Sequence, residues 1–208
     1  MNLPLALTEA LAADKLFVAG MVHAQEETIL LLSPDEPGFW HHVTAEPEFA
    51  DGAADPLDRW SKRVIGALAT AFGGRAVFPS DGPPYPPFFR WATESGQAFS
   101  APVQMLVQAR MGLWTSFRGA LALPERLSLP PASKHPCTGC AAPCTTACPC
   151  GALSAQGYDV PACHAFLNTG EGQNCLSAGC LVRRSCPPGQ SYGRLEKQSA
   201  WHMRHFHR

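Results

Sequence analysis

The chain has 208 residues, 46% of them hydrophobic and 16% charged, with a formal net charge of −1. That balance excludes a disordered chain, and no apolar run approaches the roughly 20 residues that cross a bilayer as a helix. The length admits one full domain and a smaller second one.

The start, Met1-Asn2-Leu3-Pro4, lacks the basic residues of a secretory signal, and acidic Glu9 and Asp14 follow, so the expected compartment is the cytoplasm. Leu5 to Leu16 reads as a short helix. Leu16–Val22 and Thr28–Leu32 are apolar runs around a polar turn, the pattern of paired strands. Phe39–Val43 fits either a strand or a short helix. The clearest helix runs from Pro56 to Phe72, with Asp55 as expected N-cap, proline at the first helical position and Gly73-Gly74 as the stop. Its Leu57, Trp60, Val64, Ile65, Leu68 and Phe72 share one face, which marks core and not chemistry. Arg75–Phe78 reads as a buried strand. Pro79–Pro87 is too proline-rich for an element interior, and Phe88–Ala92 is a short helix. Val103–Val107 and Trp114–Leu123 are expected strands, joined at Met111-Gly112. Pro124–Pro131 is a linker, which sets the expected boundary near residue 132: an α+β domain over 1–132, and a second domain over 133–208 closed by a helix near the C-terminus. The first domain shows no P-loop, no dinucleotide-binding glycine fingerprint and no Ser/His/Asp nucleophile pattern.

All nine cysteines lie between 137 and 186. In a reducing compartment such a group reads as metal ligands more readily than as disulfides, and nine cannot all pair. Cys137, Cys140, Cys144 and Cys148 are followed directly by Pro149. This is the iron–sulfur spacing of bacterial ferredoxins with one residue added to its second gap. Cys163, Cys175 and Cys180 form a looser set, and Cys186 again precedes a proline. In two-cluster ferredoxins the cysteine of the Cys-Pro pair ligates the other cluster. Applied here, one [4Fe–4S] cluster takes Cys137, Cys140, Cys144 and Cys186, and a second takes Cys148, Cys163, Cys175 and Cys180. Cys150 is left over, as a spare thiol or substitute ligand near the second set. The competing reading is zinc, which favours two C-x2-C pairs; only Cys137/Cys140 makes one. A histidine of the tail, such as His202, His205 or His207, is a lesser ligand candidate.

Charge follows the same division. Residues 1–132 carry nine basic and fourteen acidic residues, and 133–208 carry seven and three. Two four-thiolate clusters of about −2 each would offset the basic surplus, so nucleic acid is not the expected partner.

Cys137–Pro149, with Gly151-Ala-Leu, Tyr158-Asp-Val-Pro-Ala-Cys163 and Phe166-Leu167, resembles the cluster module of epoxyqueuosine reductases. Upstream, the stretch Val103–Pro124, with Gly112, Trp114, Arg118 and Gly119, is similar to a segment of cobalamin-trafficking chaperones. Both families share a nitroreductase-like α+β core that holds a corrinoid. The resemblance implies such a core followed by a ferredoxin-like two-cluster domain. It implies cobalamin as a further cofactor, Trp114 and Arg118 lining it, and Asp81, before the Gly82-Pro83-Pro84 turn, as proton donor.

Three readings of the function are therefore open. The first is an iron–sulfur electron-transfer protein serving a redox partner protein, for which no acid–base group is required. The alternative is a corrinoid-dependent reductase related to the epoxyqueuosine reductases. A zinc-stabilised binding module is the third.

Overall fold

Two apolar runs around a polar turn build the first hairpin. In the computed structural model, which describes residues 3–207, helix α1 (Leu5–Ala13) leads into strands β1 (Leu16–Ala24) and β2 (Glu27–Pro34). The register pairs Leu16 with Pro34 and Ala24 with Glu27, with an irregularity between Val18 and Gly20. Ile29 to Leu32 are all fully buried, as a strand covered on both faces must be, so β2 reads as a continuous apolar run instead of alternating. Helices α2 (Gly38–Thr44), α3 (Pro47–Ala50) and α4 (Pro56–Ala71) follow, then β3 (Arg75–Val77), α5 (Phe88–Glu94), β4 (Ala98–Ser100), β5 (Leu106–Gln108) and β6 (Gly119–Leu123).

The main sheet has the order β1-β2-β6-β3, antiparallel throughout. Helix α4 packs across β3 and β6 with Leu57, Trp60, Val64, Ile65 and Leu68 inward. Phe39 of α2 meets Trp60 edge-on at 5.4 Å, so the ambiguous 39–43 stretch is helical and anchors the same core.

Two expectations are corrected here. Asp55 stands at the N-cap position of α4 in a left-handed conformation, φ 50°, and its side chain makes no capping bond; Pro56 at the first turn has no N–H to cap. The expected strands Val103–Val107 and Trp114–Leu123 shrink to β5 and β6. Between them Gly112 turns the chain tightly, its N–H donating to the Gln108 carbonyl at 2.7 Å. Leu113 and Trp114 are buried in succession, which a half-exposed strand could not do.

The chain divides into two compact units, but not by one cut near 132. The first holds the residues up to Gln97 and Ser116–Ser133; the second holds Ala98–Thr115 and the chain from Lys134 onward. The excursion 98–115 belongs to the second because Ala101, Val103, Val107 and Leu113 share an apolar core with Cys144, Leu153, Val182 and Cys186. Helix and strand are mixed in the first unit, as expected of an α+β layer.

A charged clamp ties α3 to α4. Arg63 donates from Nε to Glu48 at 2.5 Å and from Nη2 to Glu46 at 2.5 Å. That hydrogen bond from Arg63 holds the buried Glu48 carboxyl below the usual carboxylate range. The stability it adds is thus present above the unfolded value and is lost as pH falls through the lower folded one. Arg63 is half exposed, so solvent screens the pair to about 1 kcal/mol or less. Glu48→Gln should accordingly lower the urea midpoint at neutral pH, and the gap to wild type should close on acidification to about pH 3. A gap that widens in acid would refute this sign.

Candidate metal centre

The first cysteine group is assembled from both ends of the 134–207 segment. Cys137 and Cys140 sit on one turn, with the Cys140 N–H donating to the Cys137 carbonyl at 3.1 Å. Ala142, in a left-handed conformation, bends the chain into the short 3-10 turn Pro143–Thr145, which buries Cys144. From far along the chain comes Cys186, extended and buried, with Pro187 opening helix α9 (Pro187–Gln190) directly after it. The intervening elements are β7 (Leu153–Ser154), β8 (Gly157–Tyr158), α6 (Val160–Leu167), α7 (Gln173–Ala178) and α8 (Leu181–Arg184); α10 (Glu196–Phe206) closes the chain.

These four cysteines line one recess, with Val107, Leu113 and several prolines completing its wall. Its empty space is about 320 Å³ with the open mouth included. Burial pushes the Cys137 thiol up, and negative charge on Cys140, Cys186 and Cys144 would push it further the same way. Cys144 is raised by burial and then by Cys186, opposed by backbone N–H groups. Four thiolates here repel one another, so they can ionise together only around a cationic body. The Ala142 N–H points at the Cys140 sulfur, 3.4 Å away.

The second group gathers around Cys163 on α6, Cys175 on α7 and Cys180 just before α8. Asp159 caps α6, accepting from the Ala162 N–H at 2.9 Å. Helix α10 packs against α7. Burial raises the Cys175 thiol, with Cys180 and Cys148 as the nearby thiols acting in the same direction. Cys163 is likewise raised by burial, with charge from Cys180, Cys150 and Cys148 adding to it and a hydrogen bond from the Tyr158 hydroxyl opposing it. Cys186 lines the first recess; Cys148 does not line it, although it packs against the same apolar core. Cys150 lies beside Cys148, the two sulfurs 3.8 Å apart.

Two neighbours of this second group stand out, Tyr158, which sequence reasoning did not single out as a partner, and Arg183, part of the basic surplus read there as offsetting cluster charge. Tyr158 reaches Cys163 from the β7–β8 hairpin, and its hydroxyl is pushed strongly up by burial and by that sulfur. Arg183 donates to the Leu113 carbonyl at 2.5 Å; burial lowers its guanidinium while Cys180 and Tyr158 favour the charged form. The signal that could have found Tyr158 is an aromatic residue five before Cys163.

A tetrahedral zinc site would draw four sulfurs to within roughly 4 Å of one another around bonds of about 2.3 Å. A cubane spreads its ligands over four iron corners, and four sulfurs around an apolar recess suit that body in number and chemistry. Gly112 supplies a further fit: a Cβ there would stand 2.4 Å from the Gly189 nitrogen and 3.0 Å from the Cys186 sulfur. The backbone comes this close to the sulfur only because residue 112 has no side chain.

The remaining candidates have structural surroundings. Asp81 is exposed and its carboxylate accepts from the Phe78 N–H at 2.8 Å, closing a turn. Trp114 is buried, with Gly189 and Gly179 against its ring and the Arg194 guanidinium 5.3 Å from its centroid. Arg118 lies 3.5 Å from Asp58, and burial lowers its guanidinium. Asp81 and Arg118 belong to the first unit, Trp114 and the cysteines to the second. In the tail, His207 contacts His164 and Asn168, each at 3.0 Å, and His205 stacks on Trp201.

No protein-family model, curated protein or solved structure matches this chain.

Proposed function

We propose that the chain is an iron–sulfur electron-transfer protein with two [4Fe–4S] clusters, on Cys137, Cys140, Cys144 and Cys186 and on Cys148, Cys163, Cys175 and Cys180. The observation that carries this reading is that the second Cys-Pro cysteine, Cys186, lines the recess of Cys137, Cys140 and Cys144, whereas Cys148, the fourth of the first spacing, does not line it. That interlock is what a two-cluster ferredoxin arrangement requires and what a pair of independent zinc sites does not. When bound, such clusters supply one-electron redox chemistry.

The chain's own residues provide the setting. Val107, Leu113 and Val182 keep water from the buried thiols. The Ala142 N–H directs a hydrogen bond at the Cys140 sulfur, and the Leu181 N–H directs one at Cys175 that opposes the effect of burial on that thiol. Arg183 places a cation by Cys180. In this reading the second unit is ferredoxin-like, the first is nitroreductase-like, and the electron partner is another protein of the cytoplasm. Among the described residues no helix is long and apolar enough to cross a membrane. The corrinoid-dependent reductase reading has less support, because Asp81 closes a turn and Trp114 is packed within the second unit.

The test is anaerobic purification with metal and sulfide analysis and an absorption spectrum. About eight irons per chain with a broad band near 400 nm is the expected result. Stoichiometric zinc without colour would defeat it. Stoichiometric uptake of added hydroxocobalamin would revive the corrinoid reading.

A further inference from the structure

The second cysteine group contains five thiols, one more than a cubane takes. Cys148 and Cys150 flank Pro149, and their sulfurs are 3.8 Å apart on the same side of the turn. The Gly151 N–H donates to the Cys148 carbonyl at 3.2 Å, which folds the Cys148–Gly151 segment back on itself. A spare structural cysteine would show none of this: it would pack against aliphatic neighbours away from the group.

From this geometry we infer that Cys150 is an exchange ligand, able to take the corner of the second cluster that Cys148 holds. The inference rests on the two-cluster reading and goes beyond it in making that one corner replaceable. In the exchange one iron–sulfur bond forms as another breaks. Cys150 gives up its thiol proton and the released Cys148 takes one, so charge and electron count are unchanged. Cys148, the cysteine of the Cys148-Pro149 pair, is the resting ligand, and Cys150, its sulfur 3.8 Å away, is the reserve.

The experiment uses the full chain, reconstituted anaerobically with iron and sulfide, as wild type, Cys148→Ala, Cys150→Ala, the double variant, and Cys163→Ala as a control for losing a ligand that has no reserve. Iron is counted, and free thiols are mapped by iodoacetamide labelling and mass spectrometry. Wild type should hold about eight irons with Cys150 as its one reactive thiol. Cys148→Ala should keep about eight while Cys150 becomes protected, and the double variant and Cys163→Ala should each fall to about four. Full iron in Cys148→Ala with Cys150 still reactive would overturn the inference, as would a fall to about four in that single variant. A wild type that holds four irons or fewer overturns the two-cluster reading itself, and the exchange with it.

Discussion

Replacing Cys186 by alanine is expected to halve the iron of the reconstituted protein, from about eight to about four per chain, and to spare the second cluster. Cys186 is 49 residues beyond Cys137 in the chain, yet it lines the same recess. Alanine removes the fourth ligand while filling much of the same buried space, so the loss should be specific. Electron paramagnetic resonance of the dithionite-reduced protein separates the two species. Disappearance of the second signal, with the first kept, would reverse the assignment.

Gly112→Ala carries the largest expected cost in stability. The residue has φ +54°, which alone costs an L-residue roughly 1–3 kcal/mol. The added Cβ would also stand 2.4 Å from the Gly189 nitrogen and 2.6 Å from its Cα, backbone atoms that have no rotamer by which to yield. Overpacking of this kind adds about 1–3 kcal/mol, for a total near 4 kcal/mol. Because the Cys186 sulfur is the third atom met, iron content should fall along with the melting temperature. Gly139→Ala is the comparison: φ is +76° there, but a Cβ would meet nothing within 4 Å, so only the conformational cost of roughly 1–3 kcal/mol remains. Equal effects of the two variants in thermal denaturation would contradict the packing argument.

What was legible in the sequence was what local chemistry writes. The 3/4 spacing of Leu57, Trp60, Val64, Ile65 and Leu68 needs nothing beyond the helix itself to be read, and α4 follows it. Cysteine spacing and the two Cys-Pro pairs are local as well. What was hidden depends on partners far away. Strand β4 has three residues, too few for a period, and it exists because it pairs with β5. Trp114 reads as the start of a strand until Gly189 and Gly179 are seen to close over it. Asp55 has the right residue type for a cap, but its backbone enters the left-handed region and turns the carboxylate from that duty. Tyr158 gains its role from a two-residue strand pairing that no pattern announces.

The threading of 98–115 into the second unit sets an order of events during synthesis. Val103 leaves the ribosome 83 residues ahead of Cys186, with which it shares a core. At about 5–20 residues per second, that is a wait of roughly 4–17 s with an apolar hairpin lacking its partners. The first unit has its last strand, β6, complete within that interval. The second unit can close only when the final cysteine is out. Iron delivery to a growing chain would therefore find three of the four corners of the first recess ready and the last one still inside the ribosome.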